Sequence, residues 1–519
     1  MNKSVFYPGL RRVFSGAAAG GLAALALVTA GCAVGPRFAP PQPTMPAAWQ
    51  AGGRTTDDGI QKSEVGSQKS EVGGQPSAPS PNTQHPAAVP PPDTHSPTPL
   101  PADALVRWWE QFNDPVLNSL VTRAAQTNLD IRLAESRLRQ ARAELGVTDA
   151  GLWPQLNMNG SAQRSRSPGP GGNGVIGNSF QAGFDAAWEL DIFGGTRRAV
   201  EAAEADLAAA QESRRDVLVS LLAELAVDYV ALRGSQRRLV IARENLAMQQ
   251  HSAELTRLRF KGGLASALDV ANAAAQVAST AAQLPMMEAA SQQTIHALCL
   301  LLACEPGALT AELSRPGAIP LAPAGIPVGV PSDLLRRRPD IRNAEAQIHG
   351  ATARIGVALA DLFPKFTLSG NAGLSGNKPH TLVDMHNRFW SFGPSATWPI
   401  FDAGRILSNV RVQRALQEQA LLTYEKTVLT ALQEVENALV VSAREQEHVR
   451  LLQEAVTANR KALNLALQLY TEGQTDFLSV IEAQRSLYGA EEALALSDQA
   501  VATDLISLYK ALGGGWKKE

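Results

Sequence analysis

The sequence is poor in what catalysis and compact cores require. Aromatic residues make up 5% of its 519 residues, and cysteine occurs three times. Such a composition, with Ala, Leu, Gln and Glu crowding the second half, favours long helices over an aromatic-packed core. The net charge of −2 leaves no basic surplus, so nucleic acid is not an expected partner. No nucleophile motif and no phosphate-cradling glycine loop occurs, and no enzyme is expected. His85 and His95 fall in a Pro-rich stretch, while His380 and His386 share one loop at a spacing that makes a weak metal site. No metal or cofactor is expected. Cys299 and Cys304 are poorly spaced for a disulfide or a metal and read as buried, inert thiols. After residue 31 no hydrophobic run reaches the ~20 residues of a membrane helix. If the chain crosses a bilayer, it must use strands.

What is present begins with an export signal over 1–31. Lys3, Arg11 and Arg12 precede an apolar stretch from Val13 to Ala30, which ends in Val28-Thr29-Ala30-Gly31-Cys32. Small residues before a cysteine look like a lipoprotein processing site, although Thr29 stands where Leu is usual. Read this way, Cys32 becomes the first mature residue and carries covalent N-acyl and S-diacylglycerol lipid. An ordinary signal peptide with an incidental cysteine is the alternative. Residues 32–102 are then rich in Pro, Gly, Ser and Thr, with Gln61–Gly66 repeated as Gln68–Gly73. Too little apolar surface lies here to offset ordering. Most of it reads as a flexible or extended arm.

The remainder is the same unit twice, over about 103–312 and 313–516, with an offset of 210 residues. Asp130-Ile131-Arg132 recurs as Asp340-Ile341-Arg342, and Gly146, Pro154, Gly160, Trp188 and Gly194 recur as Gly356, Pro364, Gly370, Trp398 and Gly404. Further on, Phe260, Gly263 and Leu268 match Tyr470, Gly473 and Leu478. Repetition at one offset implies two copies of one structural unit. Each copy reads helix, strand, loop, strand, long helix, long helix. The first helix is expected over about 115–150 and its copy over about 332–360.

Period-two alternation marks strands at about 153–163, 179–189, 363–374 and 389–400. Leu156, Met158 and Ala162 alternate with Asn157, Asn159 and Gln163. Phe180, Phe184, Phe366, Leu368 and Phe392 share the same parity. Trp153, Trp188, Trp390 and Trp398 sit near strand ends, where aromatic belts lie. One apolar face also suits a soluble β-sandwich. In a membrane, the strand lengths suit ~25–30 Å of hydrocarbon, and four strands cannot close a barrel. Three copies would make twelve. Pro-free stretches over 196–260 and 405–470 predict helices of roughly 97 Å at about 1.5 Å per residue. The seam Val428, Leu432, Val435, Leu439, continued by Val449, Leu452 and Val456, has coiled-coil spacing. Lys261-Gly262-Gly263 and Glu472-Gly473-Gln474 break these helices and return the chain in a hairpin.

Cys32-Ala33-Val34-Gly35-Pro36, Trp108-Trp109 with Phe112-Asp114-Pro115, Arg337-Arg338-Pro339-Asp340-Ile341-Arg342, and Trp398-Pro399-Ile400-Phe401-Asp402 with Gly404 together resemble the TolC-like outer membrane factors. The resemblance is to the NodT-type lipoproteins of RND efflux systems. It covers 103–516 strongly and 32–53 weakly, and 54–100 looks like an insertion. It implies a mixed membrane fold, in which a trimeric twelve-stranded β-barrel continues into a long α-helical periplasmic barrel. It implies an outer-membrane exit duct for drugs or other toxic small molecules. Its partners would be a periplasmic adaptor, an inner-membrane RND pump, outer-membrane lipid and two further copies of itself. Family positions for a periplasmic gate fall on Leu478 and Glu482, where Glu482 replaces the usual Asp, and on a hydrogen-bonding tyrosine at Tyr470. Three Glu482 around an axis would form a negative ring that attracts cations and resists closing unless protonated. From spacing alone, Glu482 is equally a solvated surface charge, and Leu478 and Tyr470 are equally packing residues. The tips Lys261, Gly262, Gly263, Glu472, Gly473 and Gln474 are the expected adaptor contact, though their glycines equally suit tight turns. A protein-secretion duct or a pore-less periplasmic coiled coil are the other readings. The acylated cysteine argues against the first, and the four alternating strands against the second.

Overall fold

The computed structural model describes residues 33–43, 45–46, 49, 105–168, 174–320 and 331–517. The export signal, Cys32 and all of 50–104 lie outside the described residues. Among the described residues no helix is long and apolar enough to cross a membrane.

The body opens with helix α1 (Pro115–Thr127), started by Asp114, whose Oδ1 accepts from the N–H groups of Val116 and Leu117. Sequence periodicity runs on to residue 150 as one helix, but the chain breaks at Asn128. That side chain caps α2 (Leu129–Asp149) by accepting from the backbone of Asp130 and Ile131, a local bond that competes with helix continuation. Strands β1 (Gln155–Ser167) and β2 (Val175–Leu190) follow, then the long α3 (Gly195–Lys261) and the returning α4 (Ala267–Leu301). The second half gives α5 (Pro339–Ala360), β3 (Lys365–Gly376), β4 (Arg388–Thr397), α6 (Arg405–Glu472) and α7 (Phe477–Ala511). The helical stretch expected over about 332–360 is interrupted once: helical turns over 331–337 precede α5, and Arg338, held extended as a residue before proline, has φ −74° and ψ 120°.

The strands form one antiparallel sheet in the order β1-β2-β3-β4, with β1 and β4 at the edges. The strands reach further into the hairpin loops than alternation indicated. Arg164, Arg166, Gly177 and Asn178 are paired there, and with polar residues on both faces the alternation fades while the ladder continues. The register puts Met158 opposite Phe184, Phe184 opposite Ala372, and Ala372 opposite Trp390. Even-numbered residues therefore share one face of all four strands. Leu156, Met158, Phe184, Trp390 and Phe392 on that face are exposed within the single chain. The other face is polar: Asn157 and Asn159 donate to Asp185, and Ser391 Oγ donates to Asn371 Oδ1 at 2.8 Å.

Helices α3 and α6 contain 67 and 68 residues, or about 100 Å at the usual rise. Their mid-length carries the main core. Trp108 stacks on Tyr509 at 5.4 Å, and Leu225, Tyr229, Leu298 and Val435 are buried around them. The Arg337–Arg342 segment knots this region. Arg338 donates to Asp340, to Glu434 and to the carbonyl of Ala511, while Arg342 pairs with Glu212 at 2.8 Å and lies over the Trp516 ring. A second core around Tyr470, Phe477, Val480 and Leu487 lies near the hairpin tips. The expected seam is inward, with Val428, Val435 and Val456 buried. Cys299 is buried and Cys304 half-buried, both as free thiols.

Candidate gate, docking tips and membrane anchor

Both long helices end in the same turn. Gly263 has φ +75° and Gly473 φ +80°, a left-handed conformation that glycine adopts without a Cβ clash. Leu264 N–H donates to the Arg259 carbonyl, and Gln474 N–H to the Leu469 carbonyl, each at 2.8 Å. These bonds satisfy carbonyls that the helix end leaves open. The returning helices are capped by side chains. Ser266 and Asp269 form a reciprocal box on α4, and Asp476 accepts from Ser479 N–H at 3.1 Å on α7. That bond holds the Asp476 carboxyl below the usual carboxylate range. Lys261, Gly262, Gly263, Glu472, Gly473 and Gln474 are all exposed.

Just behind the tips α7 divides its residues by face. Phe477, Val480, Ile481, Gln484 and Leu487 are buried, while Leu478 and Glu482 are exposed one turn apart. Glu482 has no side-chain hydrogen bond or ion pair within the described chain. Tyr470 does not join that face. It is buried in the seam between the two hairpins, its hydroxyl 3.3 Å from Thr256 Oγ1 and its ring 5.3 Å from Phe477. Arg259 lies over the Tyr470 ring at 4.7 Å and donates to the Thr471 carbonyl at 2.9 Å.

This seam holds residues that sequence reasoning missed. On α3, Asn245, Gln249, Ser252 and Thr256 are all buried against neighbouring helices. Gln484 donates to Ser252 Oγ at 2.8 Å. The amides of Asn245 and Gln249 have no partner within the described residues. The signal was legible: polar residues at 245, 249, 252, 256 and 259 recur at the four-three spacing of a buried helix stripe. It was hidden because that pattern also describes a solvated face.

At the opposite end, the residues after Cys32 are docked onto the body; most of the segment expected as a flexible or extended arm lies outside the described residues. Val34 N–H donates to the Phe193 carbonyl at 3.1 Å, and Arg198 Nε donates to the Val34 carbonyl at 3.2 Å. Gly35 lies back to back with Gly356; a Cβ at Gly35 would come within 2.6 Å of Gly356 Cα. Phe38 stacks on His349 at 4.4 Å, and Trp49 reaches the main core. Ala33 lies against Gly194, where β2 gives way to α3. The two halves share a further detail at this level. Trp188 Nε1 donates to the Leu152 carbonyl and Trp398 Nε1 to the Leu362 carbonyl, at 2.9 and 3.0 Å.

A four-stranded sheet with one greasy and one polar face, continued by two helical hairpins, has close counterparts among known proteins. Residues 120–303 and 330–514 match the family model of the outer membrane efflux protein. The chain belongs to that family. Nodulation protein T of Rhizobium leguminosarum bv. trifolii is 32% identical, over 94% of this chain and 96% of that protein. The pyoverdine export outer membrane protein OpmQ of Pseudomonas aeruginosa is 35% identical, over 80% and 89% of the two chains. Among solved structures, the outer-membrane channel OprN is 34% identical with a TM-score of 0.80, covering 93% of this chain and all of that one. The Campylobacter jejuni CmeC channel shares the fold at 22% identity and a TM-score of 0.79. As an outer membrane efflux protein, this chain resides in the outer membrane, extends helices into the periplasm and serves as the outer component of an efflux system. In this family's terms, the sheet is the membrane wall and the hairpin tips are the periplasmic end.

Proposed function

We propose that three copies close a twelve-stranded barrel over a helical tunnel, forming the exit duct of a tripartite RND pump. One observation carries this reading. The sheet has a continuous apolar face, a continuous polar face and two open edges. In hydrocarbon an unpaired strand edge costs several kcal/mol per backbone group, so the edges must be sealed by further strands. The polar face then lines the bore. The two halves are structural repeats: α3 and α6 begin 210 residues apart, as do α4 and α7.

Cys32 carries the lipid that anchors the processed chain, and the docked 33–38 segment keeps this anchor at the base of the sheet. The six tip residues Lys261–Gly263 and Glu472–Gln474 meet the periplasmic adaptor, which connects the duct to the inner-membrane pump. Leu478 and Glu482 narrow the closed end, and Tyr470 with Arg259 and Thr256 holds the hairpins in that state. The unpartnered amides of Asn245 and Gln249 make the seam behind this lock easy to separate, since each unmade buried bond costs about 1–3 kcal/mol. Relatives named for pyoverdine export and toluene efflux support a duct that does little selecting. Choice of cargo then belongs to the pump.

Reconstitution in planar bilayers tests this reading. The processed protein should give long-lived ion conductance and migrate in detergent as three subunits. A stable single subunit in water without detergent would refute it.

A further inference from the structure

We propose that Arg164, Arg166 and Arg388 form an outward-facing basic rim that binds the phosphates of the glycolipid of the outer leaflet, lipopolysaccharide. The proposal rests on the even-numbered sheet face being the lipid-facing wall.

Charge on the four strands is sorted by parity. Six strand residues are charged: Arg164 and Arg166 on β1, Asp185 and Glu189 on β2, Lys365 on β3 and Arg388 on β4. The ladder sets Arg164 opposite Asn178, Arg166 opposite Ile176 and Arg388 opposite Leu374, all even-numbered. The three arginines thus share the face that carries Leu156, Met158, Phe184, Trp390 and Phe392. Asp185, Glu189 and Lys365 are odd-numbered and belong to the polar face. The apolar face therefore carries positive charge alone, and every strand carboxylate lies on the other side.

Position is as selective as sign. Each strand pair is joined to helices at one end and closed by its own hairpin loop at the other. Arg164 and Arg166 stand near the end of β1, and Arg388 begins β4, all at the hairpin ends. The helices extend into the periplasm, so the hairpin ends reach the outside. From there toward the periplasm the same face runs uncharged through Ala162, Met158 and Leu156 on β1, and through Trp390 and Phe392 on β4. A charge on a lipid-facing strand is costly at the midplane and tolerated near an interface. The arginines stand where the apolar band ends, and Trp390, two residues from Arg388, is an aromatic of the kind found at that boundary.

These guanidinium groups are available. All three side chains are exposed, and none makes a hydrogen bond or ion pair through its side chain among the described residues. The cations at the periplasmic end differ, since Arg197 pairs with Asp191 and Lys365 with Asp361. In the β3–β4 loop Lys378 is exposed and adds positive charge. The single carboxylate of that loop, Asp384, is engaged by His386: it accepts from the backbone N–H and lies 2.9 Å from Nδ1. Arg166 lies across its own hairpin, where a Cβ at Gly174 would run into its side chain. Because β1 and β4 are the sheet edges, closing the wall with further copies gathers the three arginines into one patch at each seam. A guanidinium offers paired N–H donors that match a phosphate, and it stays charged at any physiological pH. Lipopolysaccharide bears phosphates on its sugar headgroup, directly above its acyl chains.

The test uses full-length, lipid-modified protein in detergent, stripped of co-purified lipid. The probes are lipid A with its phosphates, enzymatically dephosphorylated lipid A, and phosphatidylglycerol, and native mass spectrometry reads the bound fraction. The parent protein should bind phosphorylated lipid A at least about tenfold more tightly than either other probe. Arg164→Gln, Arg166→Gln and Arg388→Gln combined should lose this preference, and Arg137→Gln, on the exposed surface of α2, should keep it. Equal affinity of the parent for lipid A with and without phosphate overturns the proposal, whether or not the triple variant assembles. So does phosphatidylglycerol binding as tightly as lipid A, or a triple variant that retains the preference. Conductance of the parent in planar bilayers separates the two readings. A conducting protein indifferent to the phosphates sinks the rim alone, and a protein with neither conductance nor a three-subunit species sinks the wall on which the rim rests.

Discussion

The Tyr470 hydroxyl lies 3.3 Å from Thr256 Oγ1, tying the end of α6 to the end of α3 across the seam between the two hairpins. Arg259 covers the same ring from the tip side. One side chain thus joins both halves of the chain where the duct would close.

Tyr470→Phe removes that bond and keeps the ring and its cation. A net hydrogen bond contributes about 0.5–1.5 kcal/mol, so the open fraction should rise about two- to tenfold. Single-channel recording measures it. An unaltered open probability would remove Tyr470 from the lock.

Glu482→Gln keeps the size of the side chain and removes its charge. If three Glu482 face the axis, cation preference should fall, and the reversal potential under a salt gradient should move towards zero. A reversal potential equal to that of the parent protein makes Glu482 a solvated surface charge.

Arg338→Ala leaves the Asp340 and Glu434 carboxylates and the Ala511 carbonyl without their shared donor. Breaking a buried pair costs about 3–5 kcal/mol, and half-exposed Glu434 places this one near the lower end. The melting temperature in detergent should drop. A drop no larger than that of Arg107→Ala, an exposed pair with Glu110, would show that the knot contributes little.

The docked segment after Cys32 should loosen in acid. Partial burial pushes the Glu201 carboxyl up, but the bonds from Arg198 and His349 outweigh it and hold it below its ordinary value of 4.5. A carboxylate held low stabilises the folded form above that ordinary value and stops doing so as pH falls through its folded value. Hydrogen exchange at the Val34 amide, corrected for intrinsic rate, should show steady protection from pH 7 down to about 5 and a loss below 4.5. Gly35→Val, which places a side chain against Gly356, should abolish the protection at every pH. Protection that persists in this variant would separate the segment from the Gly35–Gly356 contact.

Cys32→Ser should end fatty-acid labelling of the mature chain. Label that persists would refute acylation at this position.

Much of this molecule was legible as pattern. The even-numbered apolar residues of 155–167 and 388–397 gave the strand faces, because successive side chains of a strand point to opposite sides whatever packs on them. The equal offsets of Gly263 and Gly473 gave the hairpin tips. The interruption at Asn128 was not legible, since a side-chain cap and a helix-interior polar residue look alike in one dimension. Nor was the split between Tyr470, turned into the seam, and Leu478 and Glu482, turned away from it.

By itself the sequence determined the two-fold repetition, the parity of the strands, the length of the helices and the family to which the chain belongs. These follow from backbone periodicity and from residues that each local conformation requires. Only the tertiary structure decided that Asn245, Gln249, Ser252 and Thr256 are buried, and that residues 33–38 dock beside Gly194 and Gly356. Burial is a property of two surfaces that meet, and a single stretch of sequence specifies only one of them.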